Sequence, residues 1–144
     1  MADVSDPEIA TAYNQVRNDK SEINWLLIDY ENARSDKLTL TATGSGGLNE
    51  LKDHLRDDHA SFAYVRVSYS NDKESLREKF VLVVWIGEQV KVMRKAKLSV
   101  HTADVKSVLR IFSIEVAAKD KEDLEEEPII VRLRKAGGAS YDGV

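Results

Sequence analysis

Lys79 to Lys97 reads KFVLVVWIGEQVKVMRKAK, and this stretch decides the architecture of the chain. Phe80 to Ile86 is apolar at every position, the pattern of a strand covered on both faces, so the sheet is flanked by helices and this strand belongs in its middle. Gly87 ends the strand, and Lys91, Arg94, Lys95 and Lys97 follow on a helical segment from about Val90 to Lys97. The chain as a whole has 21 basic and 25 acidic residues, a formal charge of −4. Positive charge gathered on one rigid element of an acidic protein suggests a surface built to meet an acidic partner.

Outward from this stretch, the periodicities order the remaining elements. Ser5, with Pro7 and Glu8 after it, predicts the cap and first turn of a helix carried by Ile9, Tyr13 and Val16. Ile23–Tyr30 and the alternating LTLTAT of Leu38–Thr43 predict a hairpin of two strands around a turn at Asn32–Asp36. Gly44-Ser45-Gly46-Gly47 breaks the chain before a short helix lined by Leu48, Leu51 and Leu55, and Ser61–Tyr69 predicts a third strand. Ser70–Glu78 reads as a charged loop. A second helical stretch begins near Thr102 with Val105, Val108 and Leu109 inward, so the two helical segments together allow one long, bent helix. Ile111–Ala118 has strand composition, Pro128 suits the first turn of a last helix, and Gly137-Gly138 ends it. The expectation is one α/β (α+β) domain over residues 1–136, a mostly antiparallel sheet between helices, with a flexible tail at 137–144.

Composition excludes several classes. The chain has 144 residues, 42% hydrophobic and 32% charged, as one soluble globular domain requires. It has no cysteine, hence no disulfide, thiol nucleophile or thiolate metal site. Its acidic, polar start is unlike a secretory signal, and its longest apolar runs fall far short of the roughly 20 residues of a membrane span, so a cytoplasmic protein without membrane insertion is expected. Net negative charge argues against a nucleic-acid partner.

The sequence offers little for catalysis. His54 and His59 are not spaced to share a helix face, and Asp57-Asp58-His59 reads as an exposed turn rather than a ligand cluster. The glycines at 44–47 lack the Lys-Ser/Thr ending of a phosphate loop, and no Gly-x-Ser-x-Gly elbow occurs. Neither an enzyme nor a cofactor or metal is expected. Two basic regions remain as candidate binding surfaces. One holds Lys73, Arg77 and Lys79 before the apolar strand, and the other holds Lys91, Arg94, Lys95 and Lys97 after it. Each alone also reads as a solvated face, but their proximity along the chain favours function.

Three segments, AYNQVRND from Ala12, KFVLVVWIGE from Lys79 and RKAGGASYD from Arg134, resemble the coactosin branch of the actin-depolymerising factor homology family. The resemblance runs through nearly the whole chain in consistent order. It implies a five- or six-stranded mixed sheet between helices, and a monomeric actin-filament-binding protein of the cytoskeleton without enzymatic turnover. In that family the long helix after the tryptophan-bearing strand enters a groove between actin subdomains. Matched from Trp85 through Glu88, the helix-borne basic position falls at Lys95, with Arg94 and Lys97 beside it, and Val92 and Met93 are either apolar contacts or core. A second family surface, made by the loop before the apolar strand and the terminal helix, maps to Lys79 and Arg77, then Arg132, Arg134 and Lys135. Departures from cofilin-type members bear on mechanism. The basic helix is less dense, Ser5 reads as a cap rather than a phosphorylation site, and the acidic run Asp120–Glu127 with Pro128 predicts a short last helix. Side binding with interference at barbed-end capping is therefore expected over monomer binding and severing. An adaptor for anionic lipid or a non-actin protein is the reading from another class.

Overall fold

The structure, a computed structural model, describes residues 1–70 and 76–138; Lys73 and the tail from residue 139 onward lie outside the described residues. The elements run α1 (Pro7–Arg17), β1 (Trp25–Tyr30), β2 (Leu38–Gly44), α2 (Gly47–Lys52), β3 (Ala60–Ser70), β4 (Leu76–Ile86), α3 (Val92–Lys106), β5 (Ile114–Ala118), a 3-10 turn (Lys121–Leu124) and α4 (Glu126–Gly138). The strands form one five-stranded sheet in the order β2-β1-β3-β4-β5, antiparallel except for the parallel pair β4–β5. The sheet is mixed, as the family resemblance implies. Its middle strand is β3, so the apolar run of β4 is interior but next to the edge strand.

Strand alternation splits the core in two. Odd positions of β4, Val81, Val83 and Trp85, join Ala63, Val65 and Val67 of β3 under α2 and α4, where Leu48, Leu51, Ile129 and Leu133 cover them. Even positions, Leu82 and Val84, join Phe62 and Tyr64 under α1 and α3, covered by Ile9, Val16, Leu98, Val105 and Leu109. Both faces of β4 are thus buried, which is why its alternation is invisible in the sequence.

Several local expectations change. Asp6, not Ser5, caps α1 by accepting from the Glu8 N–H at 3.0 Å, because Pro7 already holds the first helical position; the Ser5 hydroxyl turns back to Asp3 at 2.6 Å. The two expected helical stretches are one helix, α3, which starts at Val92 rather than Val90. The strand after it begins at Ile114, since Ile111 is held by Tyr13 and Tyr64 in the connection. β4 extends back to Leu76, paired with Ser70, so Arg77 and Lys79 lie on a strand rather than in a loop. The last helix, expected short, is 13 residues long. The acidic run does not shorten it: Asp120 and Asp123 close a capping box on the 3-10 turn, and Glu126 and Glu127 sit in the first turn of α4, where the helix dipole favours them.

The exit from β4 is sterically fixed. Trp85 Nε1 donates to the Arg56 carbonyl at 2.8 Å, and the Gly87 N–H donates to the His59 carbonyl at 3.0 Å, drawing residues 56–59 over the strand end. A Cβ at Gly87 would lie 2.1 Å from the Asp57 carbonyl oxygen and 2.7 Å from that of Arg56. Because these neighbours are backbone, Gly87→Ala is expected to lower stability by about 1–3 kcal/mol in urea unfolding, the range for overpacking a tight site. A wild-type midpoint would contradict this account of the turn.

Candidate functional site

The two basic regions are not neighbours in space. Lys79 and Arg77 are at the amino end of β4 and on its odd face, the side covered by α4. α3 begins beyond the carboxyl end of β4 and packs on the even face. The seven residue steps of strand from Lys79 to Ile86 span about 23 Å. Closeness along the chain therefore does not make one patch; it makes two surfaces at opposite ends and opposite faces of the sheet.

At the first surface, α4 and the β3–β4 ladder come together. The Arg134 guanidinium donates to the Ser70 carbonyl at 2.9 Å and lies 5.8 Å from the centre of the Tyr69 ring, while Tyr69 pairs with Arg77 across the ladder. Arg132 donates to the Glu115 carbonyl at 3.1 Å on the edge strand. Lys135 and Arg77 are exposed and Lys79 is half-buried, with no ion pair formed by these three among the described residues.

The second surface is the outer face of α3. Its inward stripe is Leu98, His101, Thr102 and Val105. Carried outward at helical spacing, the opposite stripe is Val92, Met93, Ala96 and Val100, all exposed, with Val92 at 78% and Met93 at 76% of full exposure. Val92 and Met93 are therefore not core. Lys95 borders this apolar stripe on one side and Lys97 on the other, with Lys91 at the helix cap one turn before Lys95. The first turn of α3 has no acidic residue and no side-chain cap.

Arg94 is placed differently from its neighbours. One turn before Leu98, it falls on the inward stripe. Its guanidinium stacks 3.6 Å from the centre of the Tyr30 ring, bonds Asp36 Oδ1 at 3.1 Å, and donates to the carbonyls of Asn32, Ala33 and Ser35 at 3.3, 3.0 and 2.9 Å. Only 13% of the side chain is exposed. Lys97, half-exposed, reaches the same Asp36 at 3.4 Å. Desolvation alone would raise the Asp36 carboxyl, but Lys97, His101 and Arg94 outweigh it and hold the group below its usual range. Burial pushes the Tyr30 phenol up to about 12, Arg94 opposing. The Tyr30 hydroxyl is 2.6 Å from His101 Nδ1. Tyr30 and Asp36 had no signal in the sequence, being 64 and 58 positions from Arg94 with no shared motif, whereas His101, seven positions on, shares its helix stripe.

Beside this cluster, at the carboxyl ends of β1 and β4, lies a hollow of about 420 Å³ lined in part by Asp29, His59, Gln89, Lys91 and Arg94. Its buried carboxylate is already engaged: Asp29 accepts from Ser61 and from Thr41 at 2.6 Å, and lies 3.2 Å from His59 Nδ1. His59 is thus tied to the sheet rather than sitting in a wholly free turn. Among the described residues no group of three or more His, Asp or Glu is placed to hold a metal ion, and no helix is long and apolar enough to cross a membrane.

The chain and its fold bear comparison with known proteins. The model of the cofilin/tropomyosin-type actin-binding proteins matches residues 1–134. The chain belongs to this family. Within it the similarity is to coactosin: the Dictyostelium discoideum protein is 42% identical over 144 residues, covering 99% of this chain and 97% of that one. The crystal structure of coactosin from Entamoeba histolytica superposes with a TM-score of 0.85 at 35% identity, over 94% of this chain and 96% of that one. The solution structure of mouse coactosin, described as an actin filament binding protein, gives 0.76 at 33% identity over 98% and 96%. The family is therefore the one that the three sequence segments indicated, a family of actin-binding proteins.

The contrast between adjacent cations can be measured without any partner. Arg94→Ala is expected to cost about 1.5–3 kcal/mol in urea unfolding, the range for charge-assisted hydrogen bonds. Lys95→Ala is expected to stay within about 0.5 kcal/mol of wild type, as exposed surface changes do. Equal effects would contradict the different placement of the two side chains.

Proposed function

We propose that this chain binds the sides of actin filaments, through the outer face of α3 and through the β4–α4 surface, as a monomeric, non-catalytic protein of the cytoplasmic cytoskeleton. The observation that carries the reading is the exposed apolar stripe Val92, Met93, Ala96 and Val100, bordered by Lys95 and Lys97 with Lys91 at the helix cap, on a net-negative chain. An apolar centre with a basic rim suits an acidic protein partner: the centre supplies affinity and the rim supplies steering and register. The mouse coactosin described as an actin filament binding protein supports assigning that partner. On the other face, Lys79, Arg77 and Lys135 form the basic group for a second contact, with Arg134 tying α4 to the strand ladder that carries them. Lys91, Lys95 and Lys97 are steering charges on α3, with Lys97 shared between this role and Asp36. Decoration without strong severing, and interference with barbed-end capping, complete the proposal.

Co-sedimentation with filaments tests it. Wild type is expected in the pellet, with binding falling as salt rises because exposed charges are screened over about 8 Å at physiological ionic strength. Lys79→Ala and Lys95→Ala are each expected to weaken binding by roughly 2–5-fold, as loss of a rim charge does. Met93→Ala is expected to cost about 10-fold or more, as loss of a buried apolar anchor does. Wild type remaining in the supernatant at physiological salt would falsify the reading. Filament length by microscopy distinguishes decoration from severing: constant length is expected, and progressive shortening would replace this mechanism with the cofilin-type one.

A further inference from the structure

We propose that Arg94 is a positioning residue rather than a partner contact: with Tyr30 and Asp36 it clamps the first turns of α3 to the β1–β2 turn, and His101 makes the clamp open in acid. The proposal rests on the filament-binding reading for its consequence, and on the contacts and burial of these side chains for its existence. Arg94 spends its donors on Asp36 and on the carbonyls of Asn32, Ala33 and Ser35, and its plane on Tyr30. No other side chain of the first turn of α3 is tied to the body in this way among the described residues. Without it, Val92, Met93 and Lys95 would ride on a helix end that has no cap and no acidic first-turn residue.

His101 lies two turns further along the inward stripe, with 1% of its surface exposed, bonded to the Tyr30 hydroxyl. The charged groups around it come from every packed element: Asp36 of the β1–β2 turn, Arg94 and Asp104 of α3, and the chain's amino terminus, whose neighbour Ala2 donates its N–H to Asp104 at 2.8 Å. Burial lowers the His101 pKa, and Asp36 only partly opposes this. The closed clamp thus holds a neutral imidazole. Opening exposes it to water, where its ordinary pKa is about 6.5. Above that value both states carry the same protons; below it the open state takes up a proton that the closed state resists, so acid favours opening. A charged His101 would also stand beside Arg94, like charge against like.

The test combines filament pelleting with amide hydrogen exchange of residues 92–97 in the absence of actin, at about pH 7.5 and about pH 5.8, on either side of the imidazole pKa. Arg94→Lys keeps the charge but loses the stacked, forked geometry, so binding is expected to fall about 5-fold or more and exchange to accelerate. Asp36→Asn removes an acid beside a basic surface, which alone would strengthen binding to an acidic partner, yet the clamp requires weakening and faster exchange. Wild type is expected to show weaker binding and faster exchange at the lower pH, and His101→Gln, which does not titrate, a flatter profile. Wild-type binding by Arg94→Lys, or reduced binding with unchanged exchange, would make Arg94 a contact and overturn the clamp. A pH response identical in wild type and His101→Gln would overturn the role of His101. If wild type fails to pellet at all, the filament reading fails by itself, and the exchange data alone decide the clamp.

Discussion

Burial of β4 on both faces is the constraint from which the rest of the structure follows. Val81, Val83 and Trp85 need one cover and Leu82 and Val84 another, so helices must be delivered to both sides of the sheet. The chain meets this demand in sequence order. It leaves β4 at Gly87, crosses back over one face as α3, pairs β5 parallel to β4, and only then turns through the 3-10 segment to lay α4 on the other face. A parallel neighbour obliges a crossover of this kind, and an α-helix is its usual form. α3 is thus first of all the connection that the topology requires. Its outer face is free because its inner face is committed.

The same economy divides the cations. Arg66 donates to the carbonyls of Asn18, Ser21 and Ile23, Arg94 holds the β1–β2 turn, and Arg132 and Arg134 each bond a strand carbonyl. Planar guanidinium groups with several donors close loops and helix ends, where carbonyls would otherwise be left unpaired. The lysines at 79, 91, 95 and 135 take no such role. A compact, well-hydrated ammonium on a flexible stem holds the surrounding protein less firmly and is more available to a partner. Among the cations of the two candidate surfaces, Arg94, Arg132 and Arg134 are scaffold and Lys79, Lys91, Lys95 and Lys135 are outward, while exposed Arg77 and the Asp36-bound Lys97 cross that division.

That distinction was only partly legible in the sequence. The order of elements was legible because α1, β2 and the apolar run of β4 each carry a clean period or a clean absence of one. The family was legible because AYNQVRND, KFVLVVWIGE and RKAGGASYD are long, specific segments. The placement of Arg94 was legible in principle and missed: Val105 and Leu109 point inward, and stepping back at helical spacing reaches 101, 98 and 94. A break between Lys97 and Thr102 hides that register and leaves Arg94 grouped with Lys95 and Lys97 by charge alone. The partners of Arg94 were not legible at all. Tyr30 and Asp36 reach it only because β1 and β4 run in the same direction in the sheet, which brings the β1–β2 turn to the end where α3 begins. Likewise the distance between the two basic regions depends on β4 running on to Leu76 and on which face odd residues take. Neither can be read from an apolar run without alternation.

The separation of the two surfaces bears on what kind of partner can use both. Lys79 and the α3 stripe are at opposite ends of β4 and on opposite sheet faces, about 23 Å of strand apart. A rigid domain cannot lay both against one flat patch. It can engage both at once only if the partner presents two sites that flank it, and the second site then binds at the effective concentration set by the first. A filament meets that condition by construction, since a protein seated on one subunit has the next within reach. A lone subunit offers only one of the two encounters. On the filament-binding reading proposed above, two weak surfaces of this kind, each with a few rim lysines, would bind a monomer feebly and a filament well, and it is their spacing rather than the chemistry of either that would set such a preference.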